Sequence, residues 1–195
     1  MRNILYVNAC VKREVASRTD RMARAYLNKC LKSQDCSLSV VNLEHTVMYP
    51  LSRESLEERD KAIANNDFSG SLFELARNFA AADEVVIAAP YWDMSFPASL
   101  KLYIEQLCIN KLTFCYDEMG RPRGLTNIKK AVYVTTSGGY IGNYNFGFDY
   151  IKGVFSMLFG IAEIYCYSAE GFDILGNDTE QILSAAIEKM LKEQA

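Results

Sequence analysis

Three short stretches of this 195-residue chain carry the side chains and backbone needed to hold a ligand. In the first, Ser17, Arg18 and Thr19 stand where a loop opens into a helix. Two hydroxyls, a guanidinium and the free N–H groups of a helix N-terminus attract a phosphate; taken alone, Ser17 is equally an ordinary helix cap. In the second, Tyr91, Trp92, Asp93 and Met94 follow an apolar run and Pro90, bringing exposed peptide N–H groups and aromatic faces to a loop that suits a planar ring. The same aromatics, taken alone, fit a plug in the core. In the third, Thr136, Ser137, Gly138 and Gly139, the glycines let the backbone approach a ring closely, although TSGG by itself is also a plain turn.

Strands must position these stretches. Apolar runs at residues 4–7, 38–43, 85–89, 131–134 and 161–167 predict five strands. A helix over about residues 17–33 shows Ala23, Leu27, Cys30 and Leu31 on one face, and another over 72–82 feeds the third strand. Leu100, Tyr103, Ile104, Leu107 and Cys108 recur at helical spacing after the third strand, as do Tyr150, Ile151, Val154, Phe155, Leu158 and Phe159 after the fourth. Asn177 or Asp178 caps a last helix carrying Ile182, Leu183, Ala186, Ile187, Met190 and Leu191. Residues 45–70 form a polar excursion, helical from about Arg53, and residues 111–125 alternate around a Met119-Gly120 turn as a small hairpin insertion. Strands alternating with helices predict an α/β doubly wound parallel sheet. The three stretches then lie outside the carboxyl ends of strands one, three and four, where such a sheet binds its ligand.

Composition narrows the partners. At 22.0 kDa and 50% hydrophobic residues, the chain reads as one domain spanning residues 1–195 with a real core. A net charge of -3 without a basic block leaves no footprint for nucleic acid. No apolar run approaches the roughly 20 residues of a membrane span, and no basic region with a long apolar stretch precedes the first strand, so a soluble cytoplasmic protein is expected. Cys10, Cys30, Cys36, Cys108, Cys115 and Cys166 form no CxxC and have only His45 to join them, which predicts small buried thiols and no metal site. GxGxxG, GxxxxGK[ST] and GxSxG are all absent, against a Rossmann dinucleotide site, a P-loop and an α/β-hydrolase nucleophile.

The order of these segments resembles the flavodoxin-like family of FMN-dependent NAD(P)H:quinone oxidoreductases and azoreductases. APYWDMSFPASLKLYIEQ is similar to that family's APxWNFxxPxxLKxYID loop, KLTFCYDEMGRPRGLTNIKKAVYVTTSGG to its TFxYTxxGPxGLxxxKKAxxxxSRGG stretch, and GVFSMLFGIAEIYCYSAEG to its FLGFIG region ending in EG. The resemblance implies a flavodoxin-like five-stranded sheet of order 2-1-3-4-5. It places Cys10, Ser17, Arg18 and Thr19 around the FMN phosphate and ribityl chain, Tyr91, Trp92, Asp93 and Met94 on the ring-binding loop, and Thr136, Ser137, Gly138 and Gly139 at the pyrimidine end. Cys10 stands where Ser is common, Asp93 where Asn is usual and Ser137 where azoreductases often carry Arg.

The resemblance implies further that hydride passes from NAD(P)H through flavin N5 to quinones or azo compounds in ping-pong order. The cofactor supplies the reactivity, so no catalytic side chain is required; Tyr116 and Tyr140 are the candidates for a substrate-side role. A homodimer is implied, with the sites near the subunit interface, and the broad apolar circumference of residues 149–159 agrees. Two other readings stay open: a flavodoxin-type electron carrier without enzymatic turnover, and a regulatory domain that keeps the fold without flavin.

Overall fold

Parallel strands covered on both sides bury alternate residues against opposite layers, which is why the strand sequences here are nearly continuous apolar runs. A computed structural model describes residues 1–12, 17–33 and 35–193. Residues 13–16 of the stretch that follows the first strand in sequence lie outside the described residues. The strands are β1 (Arg2–Asn8), β2 (Cys36–Asn42), β3 (Glu84–Ala88), β4 (Phe114–Tyr116), β5 (Pro122–Gly124), β6 (Lys130–Thr136) and β7 (Glu163–Ala169). All pairings in the order β2-β1-β3-β6-β7 are parallel, the 2-1-3-4-5 sheet that the sequence led us to expect, and β4 pairs with β5 as a separate antiparallel hairpin.

The helices are α1 (Arg18–Ser33), α2 (Arg53–Asn65), α3 (Glu74–Ala81), α4 (Ala98–Leu107), α5 (Phe146–Met157) and α6 (Thr179–Lys192). Ile4, Tyr6, Val86, Ala88, Val132 and Val134 face α1 and α6, meeting Met22, Ala23, Leu183 and Met190. Their neighbours Leu5, Val7, Val85, Ile87, Ala131 and Tyr133 face α3, α4 and α5, meeting Phe79, Leu100, Ile104 and Phe155. The excursion becomes helical where expected because Ser52 and Ser55 form a reciprocal capping box. No helix among the described residues is long and apolar enough to cross a membrane.

Several element ends differ from the sequence reading, among them the ends of α4 at Leu107 and α5 at Met157, short of Cys108 and of Leu158 and Phe159. The fifth strand of the sheet runs two residues later than expected, because Gly160 turns the chain at φ 71° and Ile161 is drawn into the core, its N–H bonding the Phe155 carbonyl at 3.0 Å. α5 begins at Phe146, where the Asn145 side chain accepts from the Phe148 N–H at 3.0 Å. Asp178, not Asn177, caps α6 by accepting from Glu180 and Gln181; Asn177 instead donates to the Gly171 carbonyl at 2.8 Å.

Two kinds of buried tyrosine hold this core. Tyr6 donates to Asp20 at 2.5 Å and Tyr26 to Glu84, whereas the Tyr103 and Tyr133 hydroxyls are buried without a hydrogen-bond partner. Burial alone raises the Tyr103 pKa. An unpaired buried hydroxyl costs more than it contributes, so Tyr103→Phe should stabilise the fold by about 1 kcal/mol, while Tyr26→Phe should destabilise it by about 1–3 kcal/mol by taking the donor from Glu84 Oε1 and leaving Arg2, 2.9 Å from Oε2, to hold the carboxylate. Urea denaturation of the two variants beside the native protein checks both signs.

Candidate functional site

Four loops at the carboxyl edge of the sheet enclose a cleft of about 190 Å³. Its first wall starts at Asn8, whose side-chain carbonyl accepts the Cys10 N–H at 2.9 Å while its amide group donates to Asp20 at 3.3 Å. Ser17 caps α1: its hydroxyl accepts the Asp20 N–H at 3.2 Å and its carbonyl accepts the Arg21 N–H. The capping role and a place in the cleft are therefore both true of Ser17. Thr19 is 2% exposed and its hydroxyl meets that of Thr136 at 2.7 Å, so the walls grown from β1 and β6 touch.

The second wall is a two-residue turn. Trp92 and Ser95 exchange both backbone hydrogen bonds, at 3.1 and 2.8 Å, and between them Asp93 and Met94 adopt φ of 50° and 65°. Positive φ at both central positions is the type I′ arrangement, which favours Asn, Asp or Gly; a short polar residue at position 93 has that local reason. No protein hydrogen bond among the described residues uses the Asp93 or Met94 N–H. Trp92 is 44% exposed, which removes the core-plug reading of that side chain. Tyr91 is fixed at both ends, its N–H on the Thr136 carbonyl at 3.0 Å and its hydroxyl on the Tyr144 carbonyl at 2.6 Å.

The third wall is the loop after β6, where the Ser137 N–H bonds the Ala169 carbonyl and its hydroxyl donates to the Gly139 carbonyl at 2.6 Å. Ser137 is thus turned into its own loop rather than displayed. Cys10, Ser17, Arg18, Thr19, Tyr91, Trp92, Thr136, Ser137 and Gly138 all line the cleft. Asp93, Met94 and Gly139 stand on the adjoining loops outside its lining, and Tyr116 and Tyr140 are not among the lining residues; both are exposed, Tyr116 on the hairpin. Sequence reasoning missed Val11, Lys12 and Pro90, and with them the fourth wall, Phe172 and Asp173. The signal for that wall was the AEGFD segment beyond the last strand: in a sheet whose inner strands β1, β3 and β6 end at the cleft, the end of the edge strand β7 beside β6 lies within reach of it too.

Burial pushes the Cys10 thiol up to about 11, partly offset by the Ser17 hydroxyl beside it. Its Sγ also lies 3.8 Å from the Ala88 carbonyl, a weak contact. His45 lies elsewhere, on an open groove of about 910 Å³ beneath the excursion that shares no lining residue with the cleft. The smaller cleft is the better candidate, since it alone combines a helix N-terminus, cationic side chains and an aromatic rim at the point where the sheet reverses its winding.

A family model described as flavodoxin-like fold matches residues 2–193. The chain belongs to that family. Within it, the FMN-dependent NADH:quinone oxidoreductase 2 of Clostridium acetobutylicum is 35% identical over 207 residues, covering 100% of this chain and 98% of its own length. The FMN-dependent NADH:quinone oxidoreductase of Lachnoclostridium phytofermentans is 33% identical, covering 97% of this chain and 96% of its own. Among solved structures, an azoreductase from Bacillus anthracis superposes with a TM-score of 0.85 at 21% identity over 98% of both chains. An FMN-dependent NADH-azoreductase from the same species, crystallised with FMN, superposes at 0.83 with 22% identity over 99% of this chain and 97% of its own. At such identities the likeness is one of fold.

Two outcomes test this flavodoxin-like cleft as described. Ser17→Ala should cost about 1 kcal/mol of stability, the usual worth of a lost helix cap, read as a lower urea midpoint. Cys10 should resist alkylation by iodoacetamide at pH 7 and label faster as the pH climbs toward 11, because only the thiolate reacts; mass spectrometry of labelled peptides would show a contrary result as early modification at neutral pH.

Proposed function

We propose that this protein is an FMN-dependent NAD(P)H:quinone oxidoreductase that also accepts azo compounds, with the cleft at the ends of β1, β3 and β6 as its cofactor site. The observation that carries the reading is the convergence of Ser17, Arg18 and Thr19 at the α1 N-terminus with the Trp92 turn and the Gly138 loop in one cleft. The relatives named as FMN-dependent NADH:quinone oxidoreductases, alike along the whole chain, support it.

The residues present fit FMN. Arg18, Lys12, the Ser17 and Thr19 hydroxyls and the first turn of α1 offer the charge and donors that a terminal phosphate requires. The free N–H groups of Asp93 and Met94 on a rigid turn suit the polar edge of a ring, and exposed Trp92 gives an apolar face beside it. The chemistry supplied by bound FMN is hydride uptake from NAD(P)H at N5 and two-electron delivery to a quinone or azo acceptor, in ping-pong order. What the chain does is narrower: it positions, shields the ring from water and tunes charge. With Ser137 in place of an arginine, no cationic side chain stands on the β6 loop itself. Protons come from solvent, or from Tyr140 or Tyr116 when a substrate bridges the distance.

We read the protein as a cytoplasmic homodimer. The observation favouring association is apolar surface on and around α5, where Phe146 and Met157 are exposed beside half-buried Tyr150, Val154 and Leu158, near exposed Trp92 and Met94. Sedimentation equilibrium checks it.

Three measurements test the function. Flavin released on denaturation should be FMN rather than FAD, and the purified protein should oxidise NADH with menadione as acceptor; bound flavin without turnover would instead indicate a flavodoxin-type carrier. Replacing both Ser17 and Thr19 by Ala should weaken FMN by roughly 2–4 kcal/mol, at about 1.5 kcal/mol or more for each bond to a charged group. Trp92 is the sole tryptophan, so its fluorescence should fall steeply as FMN binds, and Trp92→Leu should leave the fold intact while changing flavin affinity or reduction rate.

A further inference from the structure

The fourth wall of the cleft carries a charge that its position in the sequence does not advertise. Residues 171–173 are zipped to the β6 loop by three backbone bonds: Gly171 N–H to Gly139 at 3.2 Å, Phe172 N–H to Ser137 at 3.3 Å and Asp173 N–H to Gly138 at 2.8 Å. The zip fixes the Asp173 backbone, and its carboxylate lies directly over Gly138, where an added Cβ would sit 2.1 Å from Oδ2. The other carboxylate oxygen is 3.9 Å from the Arg18 guanidinium, whose Cζ lies 4.6 Å above the ring of buried Phe172. Arg18 is therefore held from two sides, by an aromatic face and by an anion, in the same cleft.

We propose that Asp173 sets the affinity of the cleft for phosphorylated ligands, acting as a resident counter-charge for which Arg18 must be shared with an incoming phosphate. The inference rests on the reading of Arg18 as part of a phosphate seat. At 3.9 Å and with both side chains well exposed, the pair is a weak one. Weakness is what allows exchange: a doubly charged phosphate outcompetes one carboxylate for the guanidinium, but binds less tightly than it would with a neutral residue at position 173. Asn in that place keeps the backbone bond to Gly138 and the shape above it, and removes only the charge.

The test is a fluorescence titration of flavin-stripped protein with FMN and with riboflavin, which lacks the phosphate, for the native chain, Asp173→Asn, Arg18→Ala and the double variant. At about 20 mM salt Asp173→Asn should tighten FMN roughly three- to tenfold and leave riboflavin unchanged, and the gain should fade by about 0.3 M salt as screening shortens the reach of the charges. In the Arg18→Ala background the gain should shrink below about twofold, because there is no cation left to free. Unchanged FMN affinity in Asp173→Asn would overturn the proposal. So would an equal loss for FMN and riboflavin, the mark of a residue that only shapes the wall, or a gain undiminished in the double variant, the mark of direct repulsion without exchange. Native protein that binds flavin but holds FMN no more tightly than riboflavin would remove the phosphate seat and the proposal together; native protein that binds neither would refute the flavin reading itself.

Discussion

The arrangement of the cleft depends on one buried carboxylate. Asp20 is 1% exposed in the first turn of α1, and its two oxygens take bonds from Tyr6 on β1 at 2.5 Å, Asn8 at the end of β1 at 3.3 Å and Arg24 one turn further along α1 at 2.7 Å. A charge removed from water is tolerated only when its hydrogen bonds are replaced in good geometry, so the three donors must stay where they are. Their positions set the angle at which α1 leaves the sheet, and with it the places of Ser17 and Thr19. Asn8 carries the constraint one step further, because the same side chain that donates to Asp20 holds the Cys10 amide.

The remaining walls are positioned by backbone rather than by charge. The Trp92 turn is closed by a reciprocal pair of hydrogen bonds and accepts the cost of Met94, a residue without a turn-forming side chain, in left-handed backbone. The turn is also tied at its far side, where the Phe146 N–H bonds the Met94 carbonyl at 3.2 Å, so α5 begins against it. A loop braced in this way has little conformational entropy left to lose if a ligand arrives. The cleft thus joins one wall organised around an ion with others organised around amides, a division that matches a ligand charged at one end and flat at the other.

Much of this was legible in the chain, for reasons that particular residues make plain. Strand runs such as Val85 to Ala89 are apolar on both faces, whereas the Ser52–Ser55 capping box that starts α2 came from the structure. The first three walls could be found because Ser, Gly and Trp have strong local preferences at helix starts, tight loops and rims. Asp20 could not be found that way, since an Asp among Arg21 and Arg24 on a helix looks like solvated surface until β1 is laid beside it. Nor could Asp173, which matters through Arg18 and Gly138, residues 155 and 35 positions away in the chain. Contacts between distant segments leave no periodicity to read, and the ends of α5 and β7 were misjudged for the same cause: a side-chain cap and a glycine turn decided them, not the apolar pattern.

The contact between the Thr19 and Thr136 hydroxyls also limits what the cleft can offer. Two hydroxyls bring two protons, and one of them is spent on the contact itself. Whichever threonine accepts keeps the only proton left to point at a ligand, so the pair behaves as a single donor with two possible directions. A ligand acceptor on the α1 side turns the arrow one way, and one on the β6 side turns it the other. The pair can therefore present its one free hydroxyl proton on either wall of the cleft, with no movement of the backbone.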